Sequence, residues 1–145
     1  MCVMASPGSN ALSWSDLPID RAAEEKASAI GVPVNIAVLD AGAHLKAFLR
    51  MDRAALGSID VALKKATTAA LFQIPSEHVW DYCKPGAPAH ALEHTNGGLA
   101  PFAGGLPLKD AKGDMLGAIG VSGGAVPQDL AIAEAGVAAL LTSIG

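Results

Sequence analysis

The feature that most constrains this chain is a glycine-rich stretch in its C-terminal third, from Asn96 to Gly124. It holds nine of the sixteen glycines, at positions 97, 98, 104, 105, 113, 117, 120, 123 and 124. Glycine is favoured where the backbone takes a positive φ or where another group comes close to the main chain. The paired glycines therefore predict tight strand ends and a surface where something approaches the backbone. Their spacing fits neither a phosphate-binding loop nor a dinucleotide fingerprint.

Two β-hairpins are predicted from short apolar runs that flank turn sequences. Residues 34–39 and 44–51 surround a turn at Asp40–Gly42, where Asp and Gly have their usual turn roles. Residues 103–108 and 115–122 surround KDAKGD, which has the composition of a hairpin turn. Hairpins, in contrast to crossover connections, make a sheet largely antiparallel.

Helices are predicted before, between and after these hairpins. The first starts at a cap provided by Ser15 or Asp16, has Pro18 in its first turn, and ends at Gly31. Periodic apolar residues predict further helices over residues 58–72, 76–82 (a short one) and 128–141. The order α-β-β-α-β-β-α predicts an α+β fold in which helices flank an antiparallel sheet.

Composition limits the partners that this chain can have. Its 145 residues are interpreted as a disordered leader, residues 1–11, followed by one domain, residues 12–145. A hydrophobic fraction of 51%, much of it alanine, predicts apolar surface left for partner subunits and hence a homo-oligomer, a dimer or larger. The net charge of −4 and the loosely spread basic residues argue against nucleic-acid binding.

The sequence carries no signal for a membrane or for secretion. It has no run of 18 apolar residues, and its N-terminus lacks the charged-then-apolar layout of a signal peptide. We therefore expect a cytoplasmic protein. Cys2 and Cys83 lack metal-ligand spacing, and Cys83 is interpreted as an inert, partly buried thiol. Lys64 and Lys65 are interpreted as a solvated helix face.

Three blocks of the sequence are quite specific when they are taken together. They read VPVNIAVLDAGAHLKAFLRMD (32–52), PGAPAHALEHTNGGLAPFAGGLPLKD (85–110) and GAIGVSGGAVPQDLAIAEAG (117–136). In this order they resemble the small haem-binding, GlcG-like and HbpS-like family, related to the C-terminal domain of some corrinoid adenosyltransferases. The resemblance covers the chain from about Val32 to its C-terminus. It implies a profilin-like fold assembled into dimers or higher oligomers, with functions that vary among members.

The first functional hypothesis is a small-molecule binding protein, with haem or a related tetrapyrrole as the ligand. His44 opens the second strand beside the hairpin turn, and an imidazole there suits a haem axial ligand. Arg50 would meet a propionate. The pocket would be lined by the turn residues Asn96, Gly97 and Gly98. The simpler interpretations are a turn histidine bonded to Asp40 or to backbone, a solvated Arg50, and glycines that only build a turn.

The alternative hypothesis is an enzyme without a redox cofactor: an isomerase, hydrolase or lyase that acts on a small metabolite of a catabolic pathway. Three residues of the long loop, His90, Glu93 and His94, would carry out proton transfer. Two histidines four residues apart on a helix could also share a metal ion, although no third ligand stands out. A third interpretation is a purely structural partner of a catabolic enzyme.

Overall fold

The computed structural model describes residues 13–144, so the predicted leader at residues 1–11 lies outside the described residues. Within residues 13–144, four helices and four strands occur in the order α1-β1-β2-α2-α3-β3-β4-α4. Their bounds are α1 Ile19–Ile30, β1 Asn35–Asp40, β2 Leu45–Arg50, α2 Ser58–Phe72, α3 Ser76–Cys83, β3 Gly105–Lys109, β4 Met115–Ser122 and α4 Val126–Ile144. Short 3₁₀ turns occupy Trp14–Asp16 and Leu92–His94. The predicted α+β order is confirmed.

An antiparallel sheet in the order β2-β1-β4-β3 forms the centre of the fold. Alternate residues of a strand point to opposite faces of a sheet. One face packs large branched side chains against α1 and α4, among them Ile36, Val38, Ile119 and Val121. The other face packs small side chains, including Ala37 and Ala118, against the alanines of α2. The sheet is therefore covered by helices on both faces, but by layers of different composition.

A β-bulge interrupts the pairing of β1 with β2 at Lys46. The register pairs Val38 with Ala47 and Leu39 with Leu45. Lys46 is thus left without a partner across the ladder. The even spacing of Lys46 and Arg50 predicts that both side chains share one face, but an extra residue shifts the alternation by one. Lys46 borders the same hollow as its neighbour Ala47, so the predicted shared face is wrong.

Glycines of the β3–β4 hairpin allow α2 to lie directly against the sheet. A Cβ at Gly105 would collide with the backbone carbonyl of Lys65, and a Cβ at Gly120 with that of Ala62. At Gly104, where φ is +125°, a Cβ would lie 2.7 Å from Lys65 Nζ. The close approach predicted for the glycine-rich stretch is therefore made by a helix of the same chain.

The start of α1 differs from the prediction. The predicted caps, Ser15 and Asp16, belong to the separate turn Trp14–Asp16, and α1 begins at Ile19 after Pro18 without a capping side chain. Proline lacks an amide hydrogen and has a fixed φ, so it suits the position where a helix begins. None of the helices within residues 13–144 combines the length and the apolar composition that spanning a bilayer requires.

Candidate functional site

A hollow of ≈ 480 Å³ lies between the start of α1 and the β1–β2 hairpin, and we call it the α1–β2 hollow. Part of its wall is apolar and is formed by Trp14, Leu17, Val38 and Ala47. Two cations and two carboxylates also line it, those of Arg21, Lys46, Asp16 and Asp20. The bulge in β2 is what brings Lys46 to this wall. The volume lies in the range of small-molecule sites.

The predicted ligand His44 lies in the turn before β2 and is not among the residues that line this hollow. Its backbone amide donates to Asp40 Oδ1 at 2.9 Å, and its Nδ1 lies 3.5 Å from the same oxygen. The imidazole is 83% exposed. Two residues of extended chain, roughly 7 Å, separate His44 from Lys46. Asp40 therefore lies near the Nδ1 side of the ring, and most of the imidazole is open to solvent.

Asp40 organises this turn through two backbone amides. It accepts hydrogen bonds from Gly42 and His44, each at 2.9 Å. Burial acts to raise the pKa of Asp40, but the two amides lower it below the usual 3.8. A carboxylate with a lowered folded-state pKa adds stability above its unfolded pKa. That stability is lost as the pH falls through the folded pKa.

We expect Asp40→Asn to lower the free energy of unfolding at pH 7 by about 1 kcal/mol, because the amide oxygen still accepts both bonds but carries no charge. The difference between the two proteins should shrink as the pH falls below 3.8, since the wild-type carboxylate then becomes protonated. Urea unfolding from pH 7 down to about pH 2 measures this difference. A difference that does not change with pH would contradict the role of the charge.

The other residues predicted to contact haem have neighbours that differ from those of His44. Arg50 ends β2, roughly 20 Å along the strand from His44, and it borders a separate small hollow of ≈ 230 Å³. Asn96, Gly97 and Gly98 form a turn of three successive residues with positive φ. Lys64 of α2 donates to the carbonyl oxygen of Gly97 at 3.0 Å. Within residues 13–144, no hydrogen bond or ion pair joins His44, Arg50 and this turn to one another.

The loop after α3 places Glu93 beside Cys83. Burial raises the pKa of the Cys83 thiol, and the Glu93 carboxylate raises it further. The pKa of Glu93 is lowered mainly by its own backbone amide, against the effect of burial, with help from the thiol, His94 and His90. A buried thiol with a raised pKa is a poor nucleophile. This arrangement favours the inert interpretation of Cys83.

His90 and His94, the two histidines of the enzyme hypothesis, are both exposed and do not share a helix. Ala91 between them has a φ of +70°, and His94 ends the 3₁₀ turn Leu92–His94. Over residues 13–144, no group of three or more His, Cys, Asp or Glu is placed to hold a metal ion. Only Glu93 of the predicted catalytic set is partly buried, and it faces a thiol.

A second hollow, of ≈ 720 Å³, lies between α3 and the start of α4, and we call it the α3–α4 hollow. Three large apolar side chains line it although each is about two-fifths exposed: Trp80 at 44%, Phe102 at 41% and Val126 at 43%. Glu77, His78 and Asp81 add polar groups. Sequence reasoning missed both hollows. The available signal was the pair of tryptophans in a chain with 4% aromatic residues, because each tryptophan lines one hollow.

Behind Phe102 lies a buried ion pair that sequence reasoning also missed. Lys65 Nζ lies 2.9 Å from Asp129 Oδ2, and the side chains are 1% and 2% exposed. The same ammonium donates to the carbonyl oxygen of Val121 at 2.9 Å and lies 5.1 Å from the centroid of the Phe102 ring. Asp129 Oδ1 accepts from the amide of Gly124 at 2.8 Å. Burial lowers the pKa of Lys65, and Asp129 opposes this shift. The interpretation of Lys65 as solvated is wrong.

Most of the chain is similar to known proteins. Residues 18–138 match the family described as haem degrading protein, HbpS-like. The chain belongs to this HbpS-like family. It is 39% identical over 133 residues to the corrinoid adenosyltransferase PduO of Salmonella typhimurium, an alignment that covers 90% of the chain. The HbpS-like chain spans only 39% of the length of that transferase.

Two further relatives have lengths closer to that of this HbpS-like chain. A 15.0 kDa protein from the dhaT–dhaS intergenic region of Citrobacter freundii is 41% identical over 115 residues, which is 79% of this chain and 80% of the relative. HbpS of Streptomyces reticuli, solved in a double-mutant form, is 32% identical with a TM-score of 0.74 and 97% of each chain covered. The predicted family is confirmed.

The solved structure of PduOC in complex with heme is also similar to this HbpS-like chain. The two are 39% identical with a TM-score of 0.83, and the alignment covers 89% of this chain and 94% of PduOC. Protein ORFY of Klebsiella pneumoniae has the same TM-score of 0.83 at 30% identity, with 96% and 97% covered. Both likenesses agree with the α+β fold described above.

The two hollows differ in how well they suit haem. The α1–β2 hollow combines apolar walls, which suit a macrocycle, with Arg21 and Lys46, which suit propionates. The described residues that line it include no His, Cys, Met or Tyr, so none of them could ligate haem iron. The α3–α4 hollow offers the imidazole of His78, but its two lining carboxylates have no lysine or arginine among the lining residues that could pair with propionates. The first hollow is therefore the better fit.

Proposed function

We propose that this protein binds haem and that the α1–β2 hollow receives it. Membership of the HbpS-like family and the likeness to the PduOC complex with heme support haem as the ligand. The observation that carries the choice of site is a partly apolar hollow with Arg21 and Lys46 on its wall. Lys46 lies two positions along the chain from His44, whose imidazole is exposed.

In this proposal His44 supplies the iron ligand. Asp40 lies near Nδ1, so Nε2 is the nitrogen left for iron. A carboxylate near the second ring nitrogen orients a ligating imidazole and raises its basicity. Arg21 and Lys46 pair with the propionates, while Trp14 and Leu17 contact the macrocycle. Bound haem would supply an iron centre whose ligation and potential the protein tunes.

A hemin titration followed at the Soret band tests the proposal. Wild-type protein should give a saturable shift of the band. His44→Ala should abolish the shift or weaken binding by about tenfold or more, because the residue that would ligate the iron is removed. Arg21→Ala and Lys46→Ala should weaken binding by roughly threefold to tenfold at an unchanged band position, since they act on the propionates. If wild type gives no shift, the haem proposal fails.

The other three histidines are matched controls for His44. Variants with alanine at His78, His90 and His94 should titrate like wild type, and the same spectrum from His44→Ala would show that the ligand is assigned wrongly. Arg50→Ala and Asn96→Ala test whether the remaining predicted contacts take part in this site. Molar mass measured by light scattering on the same samples tests the proposed homo-oligomer.

A further inference from the structure

The α3–α4 hollow has features that haem binding does not explain. Soluble proteins rarely leave several large apolar side chains exposed together without a use for that surface. Trp80, Phe102 and Val126 line one hollow of ≈ 720 Å³, which is within the size range of small-molecule sites. We propose that this hollow binds a small organic cation, an ammonium group carried on an apolar or aromatic body.

The charge of the lining selects a cation. Glu77 and Asp81 lie four residues apart on α3, which places them on the same side of the helix. The described residues that line the hollow include no lysine or arginine. Lys65 behind Phe102 is already paired with Asp129. A ligand in the hollow therefore meets the carboxylates of Glu77 and Asp81. Asp81 Oδ1 also lies 4.0 Å from Nζ of the half-exposed Lys84, which is not part of the lining. An anionic ligand such as haem would meet no lysine or arginine on these walls.

The walls supply the second part of the recognition. The faces of tryptophan and phenylalanine rings attract cations, and tryptophan does so most strongly. One side of Phe102 is directed to Lys65 at 5.1 Å. Trp80 is therefore the ring available to the ammonium group, while Phe102 and Val126 provide apolar contact for the rest of the ligand.

The hollow is also built on fixed elements, so little ordering is needed when a ligand binds. The Ser76 hydroxyl at the start of α3 donates to the carbonyl oxygen of Phe102 at 2.6 Å and accepts from the amide of Gly105 at 2.9 Å. Ser76 is fully buried. These two bonds join α3 to the segment that carries Phe102, and they hold the two aromatic walls at a set distance.

Three probes that share one ring separate charge from shape: benzylammonium, benzyl alcohol and benzoate. Trp14 and Trp80 are the only tryptophans of the chain, so a Trp14→Phe protein reports on this hollow by the fluorescence of Trp80. Benzylammonium should change that fluorescence saturably, with about fivefold to tenfold tighter binding than benzyl alcohol. Benzoate should bind more weakly than either. Saturation-transfer NMR on the wild-type protein repeats the comparison without the substitution.

A variant that removes only charge makes the test specific. Glu77→Gln with Asp81→Asn should weaken benzylammonium binding by about fivefold and leave benzyl alcohol unchanged. Glu25→Gln with Glu134→Gln, two exposed carboxylates outside this hollow, should change neither. Equal affinity for the three probes, or no effect of the Glu77 and Asp81 changes, would overturn the proposal. Displacement of benzylammonium by hemin would also overturn it. The same holds if Trp80 becomes shielded from solvent as the protein concentration rises, because a second copy of the chain would then cover the hollow.

Discussion

Replacing Lys65 by methionine is expected to lower the free energy of unfolding by about 3–5 kcal/mol. The substitution removes the partner of Asp129, which then keeps a charge in a site where its side chain is 2% exposed. It also leaves the carbonyl oxygen of Val121 without the donor that it has in the wild type. Urea or guanidinium unfolding measures the loss.

The cause can be separated from simple loss of packing by a double substitution. Lys65→Met with Asp129→Asn removes both charges, and the asparagine Oδ1 can still accept from the amide of Gly124. Replacing both members of a buried ion pair is often close to neutral, so the double variant should regain most of the lost stability. If the loss in the double variant equals the sum of the losses in Lys65→Met and Asp129→Asn, the two side chains are not coupled.

The neighbouring lysine is the matched control for this prediction. Lys64 makes one exposed hydrogen bond to the carbonyl oxygen of Gly97. Lys64→Met should therefore cost at most about 1 kcal/mol, although it is the same chemical change one position earlier in α2. Equal losses for the two lysines would contradict a special role for the buried pair.

Gly120→Ala is expected to destabilise the protein by about 3 kcal/mol, at the upper end of the range for overpacking. The new methyl group would lie 2.5 Å from the amide nitrogen of Ala66 and would collide with the carbonyl oxygen of Ala62. Both are backbone atoms of α2, so relief requires the whole helix to move. In a chain of this length the loss corresponds to a melting temperature roughly 10 °C lower.

Gly57→Ala is the matched control, for which the expected loss of stability is small. Gly57 precedes α2 with a φ of −60°, and a Cβ there has no neighbour within 4 Å. The same addition of one methyl group should change stability by less than about 0.5 kcal/mol. Differential scanning calorimetry on the two variants compares them directly. A Gly120→Ala protein that melts with the wild type would contradict the close packing of α2.

Local pattern was enough to predict the elements of this fold. The apolar periodicity of residues 58–72 predicts a helix with the bounds that α2 has, and β4 likewise has the predicted bounds Met115–Ser122. Gly31 takes a φ of +71° and ends α1 as predicted. In each case the determinant is a side-chain property repeated over a few residues, or a conformation that only glycine adopts without cost.

Partners distant in the sequence decide the features that were not predicted. Lys65 and Asp129 are 64 positions apart, and neither position carries a local sign that its charge is buried. The bulge at Lys46 depends on how β1 and β2 pair, which the strand pattern alone does not specify. The two hollows likewise form where separate helices and strands meet, so only their tryptophans are visible in the sequence.

The two layers beside the sheet should tolerate opposite kinds of mutation. Where Ile36 and Ile119 meet α1 and α4, an apolar residue can be exchanged for another, and the main danger is a vacancy left by a smaller side chain. Where Gly105 and Gly120 meet α2, there is almost no side chain to remove, and every substitution adds atoms. Substitution is thus open among the branched side chains of one layer and nearly closed at the glycines that contact α2.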